Sequence, residues 1–181
     1  VLSEDGMDKA FVTNLLSVQS MITAMEPALR RSQEPRVVLV GSRLERKGSR
    51  LCIESLQTTS GASLLQDGKY RDAMEHYAIT KRALMLLALE LRNRWHKKGS
   101  RIELFVVTPG MVHTNLWANF PLWYRTLTYP VRALALRSAE DGARGVVYAA
   151  ACPELSGEGG LYLADGVAIE PSDGAQNQQE A

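Results

Sequence analysis

Two short runs, Arg36-Val-Val-Leu-Val-Gly41 and Ile102-Glu-Leu-Phe-Val-Val107, limit what this chain can fold into more than any other feature. They are rich in β-branched residues and lack regular polar alternation, the pattern of strands buried on both faces. Strands of that kind sit in parallel sheets, which need long crossover connections, usually helical. The intervening sequence supplies them. Across residues 7–31, Phe11, Leu15, Val18, Ile22, Met25 and Leu29 recur at helical spacing, with Ser3 and Asp5 upstream as cap candidates and Pro35 as a break. Residues 73–96 carry Leu and Ala on most of a helical surface, stopped by Gly99, and residues 139–152 give a third helix before a short strand at 160–163. Residues 42–72 show no clear period and read as a functional loop, an insertion or a mobile segment. Residues 115–136 are aromatic and broken by Pro121 and Pro130. This alternation of helix and strand predicts an α/β fold with a doubly wound parallel sheet. Ligands of such sheets bind beyond the carboxyl ends of the strands, here near Ser42 and near residues 109–114.

With 181 residues the chain is long enough for one domain with a real core. Residues 1–170 form that domain, and residues 171–181, with little to bury, are expected to be a disordered tail. A formal net charge of +1 provides no field to recruit nucleic acid. Cys52 and Cys152 lack the spacing of a zinc site or a disulfide framework, and His76, His96 and His113 lack metal-ligand spacing. The default expectation is therefore an intracellular, cytoplasmic protein with no metal. No apolar run is long enough to span a bilayer. The first residue is Val, which points to a processed or truncated N-terminus.

The sharpest chemical feature is Tyr77-Ala-Ile-Thr-Lys81, which on a helix sets a phenol and an ammonium one turn apart on one face. A fixed cation favours the phenolate, so Lys81 is positioned to tune Tyr77 as a general acid/base. The pair is common by chance, and its weight comes from context: it opens a helix that follows a buried strand ending at Gly41-Ser42.

In that context the chain resembles the short-chain dehydrogenase/reductase family, in which a strand ends near a Ser and the next helix begins with Tyr-x-x-x-Lys. The resemblance implies catalytic roles for four residues. Ser42 would hold the substrate carbonyl, Tyr77 would donate a proton to the developing alkoxide, and Lys81 would bind nicotinamide ribose and lower the Tyr77 pKa. Asn14, within Val12-Thr-Asn-Leu-Leu-Ser17, would hold a water in the proton relay. Val107-Thr-Pro-Gly-Met-Val-His-Thr114 is similar to the family's Pro-Gly-x-Val-x-Thr segment, which implies cofactor contacts from Pro109, Gly110, Val112 and Thr114 beside Tyr77 and Lys81. The implied cofactor is NAD or NADP, with NADP slightly favoured, and the implied substrate is a small carbonyl or alcohol.

The long stretch between Ser42 and Tyr77, and the segments 138–148 and 157–163, resemble the retinol-dehydrogenase-like branch, which includes the WW-domain oxidoreductases. The chain departs from that branch at Gly41, where a second Ser is common, and at Ser17, where Gly is usual. Nothing in it resembles the family's opening strand and Gly-rich turn. The resemblance therefore implies the C-terminal part of a Rossmann-type sheet lacking its Gly-rich half, expected to hold dinucleotide poorly alone. The strand at residues 37–40 would then expose an apolar edge. Trp117, Phe120, Trp123 and Tyr124 follow the Pro-Gly segment. They line a pocket for an apolar substrate of retinoid, steroid or lipid aldehyde type, cover the core, or touch a membrane surface. The basic cluster Arg43, Arg46, Lys47 and Arg50, interleaved with Glu45, reads as a solvated loop. Family members form oligomers through helices matching 7–31 and 73–96, which implies a homo-oligomer here, and a missing N-terminus would allow association with the endoplasmic reticulum. The rival functions are a catalytically inactive, truncated relative serving as a binding or dimerisation module, and an extended family member acting on nucleotide sugars.

Overall fold

A computed structural model describes residues 9–48, 73–112 and 136–173. The first helical run consists of α1 (Lys9–Phe11), a π-helical turn (Val12–Leu16) and α2 (Ser17–Leu29). Strand β1 (Arg36–Val40) leads through Gly41 and Ser42 into a 3-10 turn (Arg43–Lys47). The long helix α3 (Ala73–Lys97) precedes β2 (Glu103–Thr108). Helix α4 (Ala139–Ala151) and a 3-10 turn (Pro153–Leu155) then lead to β3 (Tyr162–Ala164) and β4 (Val167–Ile169). The predicted helices and the two long strands are all present within one or two residues of their expected ends.

The described strands form a sheet in the order β1-β2-β3-β4. β1 and β2 are parallel with Val40 opposite Val107, and β2 and β3 are parallel with Val107 opposite Leu163. β4 is antiparallel to β3 and was not expected from the sequence. Its turn is Asp165-Gly166, both at positive φ (55° and 76°), the two-residue mirror-image turn that matches strand twist. Among the described residues β1 pairs on one side alone, and Val40 is 45% exposed, as expected for an apolar edge.

Side chains of β2 alternate between two cores. Leu104 and Val106 face α2 and α3, joining Phe11, Leu15, Ile22, Leu84, Leu91 and Trp95. Phe105 and Val107 face α4, joining Ala149, Leu155 and Leu163. The sheet is thus covered on both faces, as a doubly wound architecture requires.

Two expectations are corrected. The segment with Arg43, Arg46 and Lys47 is not simply a solvated loop: it forms the 3-10 turn and buries Glu45 completely. Gly48 ends the turn so close to α3 that a Cβ there would lie 2.7 Å from the Ala78 carbonyl oxygen. Nor is the chain after Pro171 free from the start, because Ser172 donates its backbone N–H to Glu45 Oε1 (3.1 Å) and its hydroxyl to Glu45 Oε2. Residues 49–72 and 174–181 lie outside the described residues, and with them the loop expectation for the first and the rest of the expected tail.

Arg36 ties the start of β1 to the end of α4. Its side chain is 7% exposed, pairs with Glu103 at 3.1 Å, and donates to the Cys152 carbonyl at 2.7 Å. That carbonyl belongs to the helix end, where the backbone runs out of internal donors. Arg36→Met is expected to destabilise the fold by about 2–4 kcal/mol, since it strands a part-buried carboxylate and a carbonyl together. Denaturant melts would measure this, and an unchanged midpoint would show that Arg36 is dispensable.

Candidate functional site

The carboxyl ends of β1 and β2 lie level because their register sets Val40 opposite Val107. Gly41 extends the pairing by donating to the Val107 carbonyl at 2.8 Å. A side chain at Gly41 would not fit, since its Cβ would fall 2.7 Å from Val106 Cγ1. Ser42 follows in extended conformation and caps the 3-10 turn, its hydroxyl accepting from Leu44 N at 3.2 Å.

Tyr77 and Lys81 stand one turn apart near the start of α3, on the side facing these strand ends. The Ser42 hydroxyl is near enough to the Tyr77 phenol to pull its proton affinity down. Lys81 Nζ donates to the Val40 carbonyl at 2.9 Å and lies 5.6 Å from the centre of the Tyr77 ring. Thr80 between them is fully buried, and its hydroxyl donates to the Tyr77 carbonyl at 2.8 Å. Asn14 reaches across from the π-helical turn, Nδ2 donating to Thr80 Oγ1 at 3.0 Å. Asn14, Ser42, Tyr77 and Lys81, drawn from three separate segments, therefore converge. A π-helical turn is rare and recurs at functional sites, and here it carries Asn14.

Burial pushes the Tyr77 phenol above its ordinary value, and the Ser42 hydroxyl pulls it partly back. Burial pushes the Lys81 ammonium below its ordinary value. The expected lowering of Tyr77 by Lys81 is not what governs the phenol here. The ammonium faces the ring and gives one N–H to Val40, so desolvation and Ser42 dominate.

Pro109 and Gly110 follow β2, with Gly110 at φ 75°. They sit beside a cleft of about 750 Å³ lined by Thr108, Pro109, Arg137, Gly142, Tyr148 and Asp165, on the α4 side of the strand ends. Arg137 pairs with Asp165 at the rim. Val112 bridges to Arg137, and its side chain fills the place of a missing one at Gly142, where a Cβ would lie 2.6 Å from Val112 Cγ2. The Val112 side chain therefore packs on α4, leaving only its backbone for a ligand. Thr114, Trp117, Phe120, Trp123 and Tyr124 lie outside the described residues, as does His113. Among the described residues no group of His, Cys, Asp or Glu could hold a metal, and no helix is long and apolar enough to cross a membrane.

Sequence reasoning missed Thr80 and Glu45. Thr80 had a signal, a small polar residue placed between apolar Ile79 and the Lys81 stem on a helix expected to be buried on more than one side. Glu45 had none, because its basic neighbours mark solvent and its partner Ser172 is 127 residues away.

The donor set suits the nicotinamide-ribose end of a dinucleotide. Lys81 keeps N–H donors beyond the one given to Val40. Gly110 leaves the backbone open, with Arg137 atoms no nearer than 3.9 Å to where a Cβ would be.

No protein-family model matches the chain. Polyprenol dehydrogenase of Mus musculus is 34% identical over 181 residues, covering 98% of this chain and 51% of its own length. WW domain-containing oxidoreductase of Gallus gallus is 31% identical, covering 99% of this chain and 42% of its own length. A short chain dehydrogenase of Emericella nidulans is 31% identical, covering 88% and 52%. The chain spans about half the length of the curated relatives it matches. The crystal structure of an uncharacterized protein from Mycobacterium Paratuberculosis covers 99% of this chain and 56% of its own, with a TM-score of 0.67 and 24% identity, a likeness of fold alone. Dehydrogenases and oxidoreductases matched along nearly the whole chain, on a parallel sheet whose strand ends gather the residues expected from the resemblance, settle the relationship: the chain belongs to the short-chain dehydrogenase/reductase family.

Proposed function

We propose that the chain carries the catalytic residues of an NAD- or NADP-dependent oxidoreductase that interconverts a carbonyl and an alcohol. The observation that carries this reading is the gathering of Asn14, Ser42, Tyr77 and Lys81 at one edge of the sheet, with the Lys81 ammonium on the Val40 carbonyl and 5.6 Å from the Tyr77 ring. When bound, the nicotinamide supplies or accepts the hydride. Lys81 would hold its ribose through the N–H groups not given to Val40, and Pro109, Gly110 and the backbone of Val112 would hold its carboxamide end.

The protein groups handle the proton and the geometry. Tyr77, protonated at neutral pH as any phenol is and pushed further that way by burial, donates its phenolic proton to the oxygen of the carbonyl being reduced and takes it back in the reverse direction. Ser42 presents its hydroxyl to the same oxygen and fixes its angle to Tyr77. Asn14 and Thr80 brace the start of α3 and offer polar atoms through which a water can resupply the proton. For the substrate we infer an apolar carbonyl or alcohol. The aromatic run from Trp117 to Tyr124 supports this, as does the name polyprenol dehydrogenase on relatives from mouse and Danio rerio at 34% and 32% identity.

In the full-length protein, Tyr77→Phe is expected to lower turnover by roughly two to four orders of magnitude while dinucleotide affinity, read by fluorescence titration, stays nearly unchanged. Wild-type turnover in that variant would remove Tyr77 from the chemistry. Absence of turnover in the unmodified protein with either dinucleotide would favour a catalytically inactive binding module.

A second expectation concerns pH. Burial pushes the phenol above its ordinary value and the protonated form is the donor, so carbonyl reduction should be level across neutral pH and fall only as pH rises through the raised phenol value. Ser42→Ala removes the group that pulls this value down, so the falling limb should move to still higher pH. A limb that moves the other way, or begins below about pH 8, would assign the proton to another group.

A further inference from the structure

A carboxylate sealed from water is costly unless its oxygens are fully engaged, and Glu45 is the one acidic residue among those described with no exposure at all. One carboxyl oxygen accepts the Ser172 backbone N–H at 3.1 Å and the other accepts the Ser172 hydroxyl. Arg46 stands 3.8 Å from Oε1, and Arg46 also donates to the Glu170 carbonyl, so the 170–173 segment is held at two points. Beneath lies Tyr162, whose phenol is pushed up to about 12 by burial and by the Glu45 charge.

Glu45 is also three residues beyond Ser42, in the turn that Ser42 caps. Its backbone N–H donates to the Ser42 carbonyl at 3.0 Å, and the Gly48 N–H donates to the Glu45 carbonyl at 3.1 Å. Gly48 in turn is pressed on Ala78, the neighbour of Tyr77, and its carbonyl accepts from Arg82 at 2.9 Å. The turn is therefore a short rigid bracket from Ser42 to the base of Tyr77, and its middle is anchored by a residue near the far end of the chain. We propose that Glu45 and Ser172 are positioning residues: they form a latch by which the 170–173 segment holds the bracket down and keeps the Ser42 hydroxyl beside the start of α3, where Tyr77 stands. The catalytic consequence rests on the function proposed above; the geometric one does not.

The test uses full-length protein carrying Ser172→Ala or Glu45→Gln, with Ser172→Thr as the conservative variant and Ser42→Ala as reference, folding being confirmed by thermal melts. The Tyr77 phenol is titrated by NMR on protein labelled with carbon-13 at the tyrosine ring. Ser42→Ala should move that titration upward, and the latch variants should move it the same way, while Ser172→Thr restores it. Turnover should fall about tenfold in Ser172→Ala, with the dinucleotide KM within about twofold of wild type. A wild-type Tyr77 titration in Ser172→Ala overturns the latch, and so does a titration that Ser42→Ala fails to move, since no contact would then exist to preserve. Glu45→Gln is read only if it folds; Ser172→Ala decides alone otherwise. Because the titration needs no turnover, full activity in Tyr77→Phe would sink the proposed function and leave the latch standing.

Discussion

From Val106 to Thr108 the strand β2 meets water on neither face, and it has a neighbouring strand on each side. Backbone groups sealed in this way must all be paired, so β2 fixes the register of β1 and β3 against itself. The constraint decides where the chemistry sits. Pairing of Val40 with Val107 brings Ser42 and Pro109 to one level, and Pro109, with no N–H to offer a ladder, turns the chain outward there. Both helical layers are then hung from alternate residues of one strand, which orients α3 with Tyr77 and Lys81 toward the same edge.

The electrostatics of the gathered groups come mostly from desolvation rather than from mutual attraction. Burial raises the phenol and lowers the ammonium, shifts that bring both groups toward their neutral forms. Among the described residues the influence that opposes burial at Tyr77 is the Ser42 hydroxyl, carried by a five-residue turn. A site poised by a single hydroxyl depends on how rigidly that hydroxyl is carried, and this gives the buried Glu45 its interest.

The helices and the two long strands were legible because each shows one uninterrupted periodicity that tertiary contacts reinforce. Asn14, Ser42, Tyr77 and Lys81 were legible for a different reason: their order along the chain resembled a known arrangement, and no periodicity would have joined residues 14 and 77. The hairpin at Asp165-Gly166 carries a signal, an Asp-Gly pair between Tyr162-Leu-Ala and Val-Ala-Ile, but each flanking run is only three residues long, too short for alternation to mark a strand. Glu45 was misread because local composition speaks for solvent, and only a partner from the other end of the chain overrides it. That Lys81 stands over the Tyr77 ring is likewise beyond the sequence, which shows only that the two are one helical turn apart.

The π-helical turn at Val12–Leu16 makes chain length itself a structural parameter. In an α-helix each residue advances the face by about 100°. A wider turn absorbs one extra residue without advancing the face as far, so deleting one position between 12 and 16 would let the coil close into an ordinary α-helix and leave everything downstream nearly in phase. Ile22 would stay in the interior with Met21 and Met25 outside, while Asn14 would lose the wide turn from which it reaches Thr80. A gap in the regular coil from Ser17 onward has no such slack and turns the rest of the helix by about 100° against the sheet.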